Sequence, residues 1–442
     1  MTQPSLILTP RRRALLAGHD NRLEVLVRVQ APEAPPALQP KRLPLHVALV
    51  IDRSGSMSGK PLQEARRCAA HVIDGLQPTD VASLVVYDDD VQTIVPAGPI
   101  GDRSRFHAAL RTVRSGGTTN LHGGWLRGAE TLAPLTNAET LSRVILLSDG
   151  CANAGLTDVA AIERQCRELA EAGVTTSTYG LGHNFNEALM VAMAQAGGGN
   201  HYYGQTAEDL MAPFQEELAL MKATAARTVR LRLEAPAGVT VQVLNDYLRE
   251  DGAWRLPDLL YGGEAWALVR MTVPASVAAA GVGADLLTAH VSYVDESGER
   301  VGLAPAGIRL PALPADAFAA VAEDELVARR AKEIEAAHIQ RRARQAAQAN
   351  DWAEVERLLG ELEVLARDHA WIEGVLAELR ALAARRDAPL LAREALYSAR
   401  SMSSRVAACA ERASLDEATD MPAFLRRKTS QGKAPGGERK GP

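Results

Sequence analysis

The chain has 442 residues, 47% of them hydrophobic, enough for about three domain cores, yet no run approaches the ~18 apolar residues of a membrane span. Its net charge of −5 is uneven: Phe424 to Pro442 holds six basic residues against one acidic, which leaves −10 on the rest, and an acidic body speaks against general nucleic-acid binding. Four cysteines (Cys68, Cys151, Cys166, Cys409) form no C-x-x-C pair, so neither a zinc site nor a disulfide framework is expected, and without an apolar signal region after Met1 the chain reads as cytoplasmic.

In chain order, Leu23 to Val29 alternates as a strand does, and the Pro-rich stretch Ala31 to Pro44 reads as a linker. A lone strand has no partner, so this one must join a sheet elsewhere. Leu45 to Asp52 is a continuous apolar run ending in a carboxylate, the pattern of a strand buried on both faces. A helix follows over Pro61 to Leu76, with Leu62, Ala65, Ala69, Val72 and Ile73 on one face. Val81 to Tyr87 and Val91 to Val95 read as strands around the acidic turn Asp88-Asp89-Asp90, which is either an anionic rim or, more simply, a solvated turn. Helices are expected over Arg103 to Val113, Leu121 to Leu135, Val159 to Ala172 (N-capped by Asp158), Glu187 to Ala196 and Ala207 to Lys222. Between them, Val144 to Ser148, Thr175 to Gly180 and His201 to Tyr203 read as strands. Such alternation predicts a doubly wound, mostly parallel, Rossmann-like α/β sheet covered on both faces.

Residues 226 to 311 change period to short alternating strands, which predicts an antiparallel β-sandwich and a home for the orphan strand. The α/β domain would then be inserted in that sandwich. Residues 315 to 413 carry apolar stripes at helical spacing (Val355, Leu358, Leu359, Leu362, Leu365; Ile372, Val375, Leu376, Leu379, Leu382), the core faces of a small α-helical bundle. The expected divisions are 1–43 (strand and linker), 44–223 (α/β domain), 224–313 (sandwich), 314–413 (bundle) and 414–442, a basic tail of polar, disordered composition.

Three stretches carry the chemistry. Asp52-Arg-Ser54-Gly-Ser56 follows a buried strand, and strand carboxyl ends are where open α/β sheets bind ligands. One carboxylate and two hydroxyls form an all-oxygen set that suits Mg²⁺ better than a soft metal, and Gly55 is expected to let the turn close over the ion. Ser115-Gly-Gly-Thr118-Thr119-Asn120 is a Gly-rich loop bearing hydroxyls, and Ser148-Asp149-Gly150 ends a second apolar run. Singly, each stretch reads equally as a polar turn; the three together do not imitate one site by chance. His122 and His183 lie near the same edge and read as loop histidines sooner than as ligands.

Asp52-x-Ser54-x-Ser56, the Gly-Gly-Thr-Thr-Asn loop and Asp149 resemble the metal-ion-dependent adhesion site of von Willebrand factor type A domains, in order and spacing, across residues 44 to 223. The whole layout is similar to bacterial, cytosolic proteins that carry this domain with a flanking sandwich and a helical carboxyl region. The resemblance implies hydroxyl ligands at Ser54, Ser56 and Thr119, with charge from Asp52 and Asp149; Thr118 rivals Thr119, which is favoured because Asn120 follows it. It implies Mg²⁺ as the cofactor, with Mn²⁺ or Ca²⁺ as alternatives. An open coordination position would be filled by an Asp or Glu of a protein partner, so the expected function is metal-dependent protein binding without catalysis. Family members often work beside MoxR-type AAA ATPases or in kinase–phosphatase gene clusters. In such domains the last helix, here Ala207 to Lys222, shifts when the site engages an acidic ligand. A site at the surface edge also predicts that Asp52→Ala removes the ion and leaves the fold largely intact.

Two other classes compete. A metal-dependent hydrolase of phosphatase type would activate water at the open position. Haloacid-dehalogenase-like phosphatases also begin with a strand ending in Asp, but they want a second acidic residue where this chain has Ser54. The other competitor is a scaffold in which the metal is incidental. Finally, Asp420-Met-Pro422-Ala-Phe424-Leu425-Arg426-Arg427 resembles the carboxyl-terminal peptide of the bacterial tubulin-like division GTPase. It reads as a docking motif, with Phe424 and Leu425 for a groove and Arg426 for an acidic rim, or equally as a segment capping its own helical bundle.

Overall fold

The computed structural model describes residues 3–32, 43–137, 139–149, 152–181, 186–204, 224–279, 285–295 and 297–404. The tail residues Phe424, Leu425 and Arg426, the helix expected over 207–222, and His183 lie outside them. The chain divides into two units: Glu33–Thr228 with Tyr293–Val301, and Met1–Pro32 with Val229–Ser292 and Gly302–Pro442.

The first unit is built on a six-stranded sheet in the order Val91–Pro99, Val81–Tyr87, Leu45–Asp52, Leu141–Ser148, Val174–Leu181, Gly198–Gly204. All neighbours run parallel except Val91–Pro99, which returns antiparallel at the edge. That edge strand extends past the expected Val95 to Pro99; an edge tolerates the missing proline N–H that a central strand would not. Every residue of Leu45–Asp52 is buried, as its unbroken apolar run requires. Val47, Leu49 and Ile51 face the helices Lys60–Gly75 and Ser104–Thr112. Ala48 and Val50 face Leu121–Leu132 and Val159–Glu171. The helix Leu121–Leu132 lies so close to the central strand that a Cβ on Gly128 would come within 2.4 Å of Val50 Cγ2. Asp158 caps Val159–Glu171 by accepting the Ala161 N–H, as its position in sequence predicts. Cys68 and Cys166 are buried core residues.

In the second unit the strand Asn21–Gln30 finds its partner in Glu264–Val273, paired antiparallel over ten residues. With Ser5–Pro10 and Thr240–Val243 they form a four-stranded antiparallel sheet. Elsewhere in this unit Ala253–Arg255 pairs antiparallel with Arg249–Glu250 and with Arg230 and Leu231, and Leu287 to Ala289 pair antiparallel with Ala306–Ile308. The helices Glu325–Gln348, Trp352–Ala366, Ala370–Arg385 and Ala388–Ser404 share a core that contains both predicted stripes, with Leu365 partly buried at its edge. The first of them has a second role: Val327 and Ile334 pack with Leu26, Trp266 and Leu268 of the four-stranded sheet. Asn245 ties the last helix to that sheet, donating to the Ser403 carbonyl and accepting the Leu268 N–H. Among the described residues no helix is long and apolar enough to cross a membrane.

Candidate functional site

Strand register sets the site. Asp52 stands opposite Tyr87 on one side, while Ile51 pairs with Leu147 on the other, which brings Ser148 level with Asp52. Asp52 is fully buried at the end of the central strand. Its Oδ2 accepts the Tyr87 hydroxyl at 3.2 Å and the Ser148 hydroxyl at 2.6 Å, and its Oδ1 accepts the Ser54 N–H at 2.8 Å. Burial pushes this carboxyl above its ordinary range, against the pull of those three donors.

The chain then makes a tight turn over Gly55–Met57, fixed by the fully buried Met57 side chain. The two serine hydroxyls lie 3.1 Å apart, and Ser56 donates to Asp149 Oδ1 at 2.9 Å. Asp52, Ser54, Ser56 and Asp149 are thus joined in one hydrogen-bonded group at the carboxyl edge of two adjacent strands. Asp149 is pushed up to about 6, first by burial and then by the Asp52 charge, with Ser56 opposing. Among the described residues no lysine or arginine pairs with either aspartate; Arg53, inside the motif, is turned onto Asp88 at 3.1 Å.

The Gly-rich loop is bonded to the first loop at two points. Gly116 donates to the Arg53 carbonyl at 2.8 Å, and Gly55 donates to the Gly117 carbonyl at 3.1 Å. Glycine is required at 117, not at 55 as the sequence implies. Gly117 has φ +68, and a Cβ there would sit 1.7 Å from Asp89 Oδ1, whereas a Cβ on Gly55 would meet only an ordinary 3.5 Å contact. Of the two threonines, Thr119 is buried and Thr118 is exposed. The Thr119 N–H donates to Asn153 Oδ1 at 2.8 Å, and its carbonyl accepts the N–H groups of Asn153 and Ala154.

The acidic turn Asp88 to Asp90 follows Val81–Tyr87 and is more than a solvated connection. Asp88 pairs with Arg53, and Asp89 accepts the Thr118 N–H at 3.2 Å. His122 stands 2.6 Å from Gln165 Oε1 and beside Trp125, away from the aspartates. The residues that sequence reading passed over are Tyr87, Ser148 and Asn153, while Asp88 reads in sequence as part of an anionic rim or a solvated turn. Tyr87 and Ser148 end the strands on either side of Asp52, so polar residues at neighbouring strand ends are the signal that finds them.

Chemically, the group offers two carboxylates and several hydroxyls, all oxygen. Such a set could hold a hard divalent cation such as Mg²⁺, Mn²⁺ or Ca²⁺ and is a poor match for a soft one. Two like charges held together without a cationic side chain fit that chemistry. Among the described residues no group of three or more His, Cys, Asp or Glu forms a conventional cluster, because here hydroxyls take the place of further acids.

Residues 46–217 match the family model of the von Willebrand factor type A domain. The chain is 30% identical over 198 residues to the uncharacterized protein YfbK of Escherichia coli (strain K12), covering 44% of this chain and 34% of that one. It is 29% identical over 168 residues to inter-alpha-trypsin inhibitor heavy chain H4 of Homo sapiens, covering 36% of this chain and 18% of that one. In both cases the chain spans less than half of the relative's own length. Among solved structures, a von Willebrand factor type A protein from Catenulispora acidiphila has a TM-score of 0.69 at 18% identity, covering 92% of this chain and 98% of that one. The ArnB paralog VWA2 from Sulfolobus acidocaldarius has a TM-score of 0.61 at 22% identity, covering 91% and 99%. Both likenesses are of fold.

Proposed function

We propose that the von Willebrand factor type A domain of this chain, residues 46–217, binds an acidic side chain of a protein partner through a divalent cation, Mg²⁺ in the first place. The observation that carries the reading is the convergence of Asp52, Ser54, Ser56 and Asp149 in one hydrogen-bonded group with no basic partner among the described residues, and with the buried Thr119 on the adjoining loop. Asp52 and Asp149 balance the charge of the ion, and Ser54, Ser56 and Thr119 supply neutral hydroxyls. Tyr87 and Ser148 hold Asp52 in place from both sides. The cation's chemistry is that of an electrophile with one position open to an anionic oxygen. A partner's Asp or Glu is the ligand proposed there, and an associated MoxR-type AAA ATPase or kinase–phosphatase cluster member is the proposed kind of partner.

Calorimetric titration of Mg²⁺ and Mn²⁺ tests the site, and capture of the partner with Mg²⁺ against EDTA tests the function. Binding of the same partner in EDTA would remove the cation from the mechanism. Hydrolysis of phosphomonoesters that disappears in Asp52→Asn would replace the binding reading with the phosphatase one.

A further inference from the structure

Thr119 is held by residues outside the proposed donor set. Asn153 grips it on both sides, accepting its N–H on Oδ1 at 2.8 Å and donating to its carbonyl at 3.2 Å. From the opposite side, the Asp88 carbonyl accepts the Asn120 N–H at 2.9 Å. The Asp88 carboxylate takes the Arg53 guanidinium at 3.1 and 3.2 Å and the Asp90 N–H at 2.9 Å. Arg53 in turn accepts the Gly116 N–H on its carbonyl. The threonine loop is therefore bonded to the segment after Asp149, to the turn after Val81–Tyr87, and to the Asp52 loop. A neutral hydroxyl is a feeble ligand, and ordering a Gly-Gly-Thr-Thr loop at the moment of binding would cancel much of what it contributes. Residues that fix a ligand from behind decide how much of its contribution survives.

We infer that Asn153 and Asp88 are positioning residues that fix Thr119 on a loop already bonded to Arg53 and Gly55, before a cation arrives. The inference rests on the cation reading above and adds two residues to it. Asn153 acts on Thr119 directly. Asp88 acts through Arg53 and the backbone of the loop.

The test uses the full chain, Mn²⁺ alone as the probe, and two readouts. Amide exchange of residues 115 to 120 in EDTA reports the loop without any ion, and calorimetry reports Mn²⁺ affinity. Asn153→Ala and Asp88→Ala should speed exchange in that segment and weaken Mn²⁺ by about 10- to 100-fold, while strands Leu45–Asp52 and Leu141–Ser148 keep their protection. Asn153→Asp keeps an oxygen acceptor for the Thr119 N–H, and Asp88→Asn keeps one for Arg53 and Asp90; both should restore loop protection. Unchanged exchange and affinity in the two alanine variants overturns the inference. So does a loss of protection across the whole domain that the conservative variants fail to restore, since the role would then be general stability. A wild-type chain that binds no Mn²⁺ overturns the cation reading, and the exchange of residues 115 to 120 then decides on the clamp by itself.

Discussion

Asp149 and Glu333 are both buried carboxylates, one in each unit of the chain. Glu333 lies on the helix Glu325–Gln348 with Arg330 at 2.7 Å and His369 at 3.4 Å. Arg330 also reaches Glu264 at 3.8 Å and lies over the Trp266 ring, and Glu264 is met again by Arg28 at 3.7 Å. Burial works against ionisation of Glu333, but Arg330 and His369 outweigh it and hold the carboxyl down at about 2. Among the described residues Asp149 has the Ser56 hydroxyl, a backbone N–H of its own and the nearby Asp52 charge, and burial pushes it up to about 6. Acids balanced by their own chain belong to the framework. Acids left among hydroxyls and N–H groups are the ones the proposed cation would balance.

Asp52→Ala tests that contrast most severely. It should abolish Mg²⁺ and Mn²⁺ binding in calorimetry, because half the compensating charge is gone. The fold does not escape, contrary to the expectation of an exposed edge. Asp52 is wholly buried, and its removal takes an acceptor from the Tyr87 and Ser148 hydroxyls and from the Ser54 N–H, at about 1–3 kcal/mol for a buried group left short of a partner. A lower melting temperature for the variant in EDTA checks this.

Next in size is Glu333→Ala. It leaves Arg330 buried without its closest partner and should cost about 3–5 kcal/mol, read by denaturant unfolding followed through exchange of the helix Glu325–Gln348. Mg²⁺ affinity should not change. Loss of metal binding in this variant would erase the distinction between framework acid and site acid.

Lowering the pH should move the two units in opposite directions. Asp149 has a folded value near 6, above the unfolded value of about 4, so its contribution is full below pH 4 and is lost as pH rises through 6. In EDTA the type A domain should therefore become more resistant to unfolding as pH falls from 7.5 toward 5, and added Mg²⁺ should reverse the trend. Glu333 has a folded value near 2, below its unfolded value of about 4, so its contribution is present above pH 4 and is lost as pH falls through 2. Exchange profiles at pH 7.5, 5 and 3 separate the units; parallel trends would count against the comparison.

The smallest effect belongs to Thr118→Ala. This side chain is exposed, so stability should stay within about 0.5 kcal/mol and Mn²⁺ affinity should be unchanged, while Thr119→Ala should weaken it. Equal loss in both would remove the structural distinction between the two threonines.

Much of this site is legible in the sequence because each of its pieces is local. An apolar run fixes a buried strand, the strand fixes where its last residue stands, and Ser54 and Ser56 follow within one turn. The orphan strand Leu23 to Val29 is legible for a similar reason: alternation demands a partner, though it does not name Glu264–Val273. Asn153 is not legible, and Asp88 is legible only as one of three acids in a turn. Their importance lies in which loop each one meets, and that depends on strand order and on the backbone bonds of a third segment.

The sequence by itself determined most of the described elements of the α/β sheet, the alternation that makes that sheet mostly parallel, and the residue types at its carboxyl edge, because these follow from periodicity and from side chains a few positions apart. Tertiary structure alone decided that Asp52 is sealed from solvent between Tyr87 and Ser148, that the glycine requirement falls on Gly117, and that Val327 and Ile334 pack on Leu26, Trp266 and Leu268. It also decided which buried acids are neutralised. Glu333 and Arg330 are three residues apart on one helix, but His369 and Glu264 come from distant parts of the chain, and a carboxylate's charge balance is a sum over everything within a few ångströms. That sum is a property of packing, and no local pattern carries it.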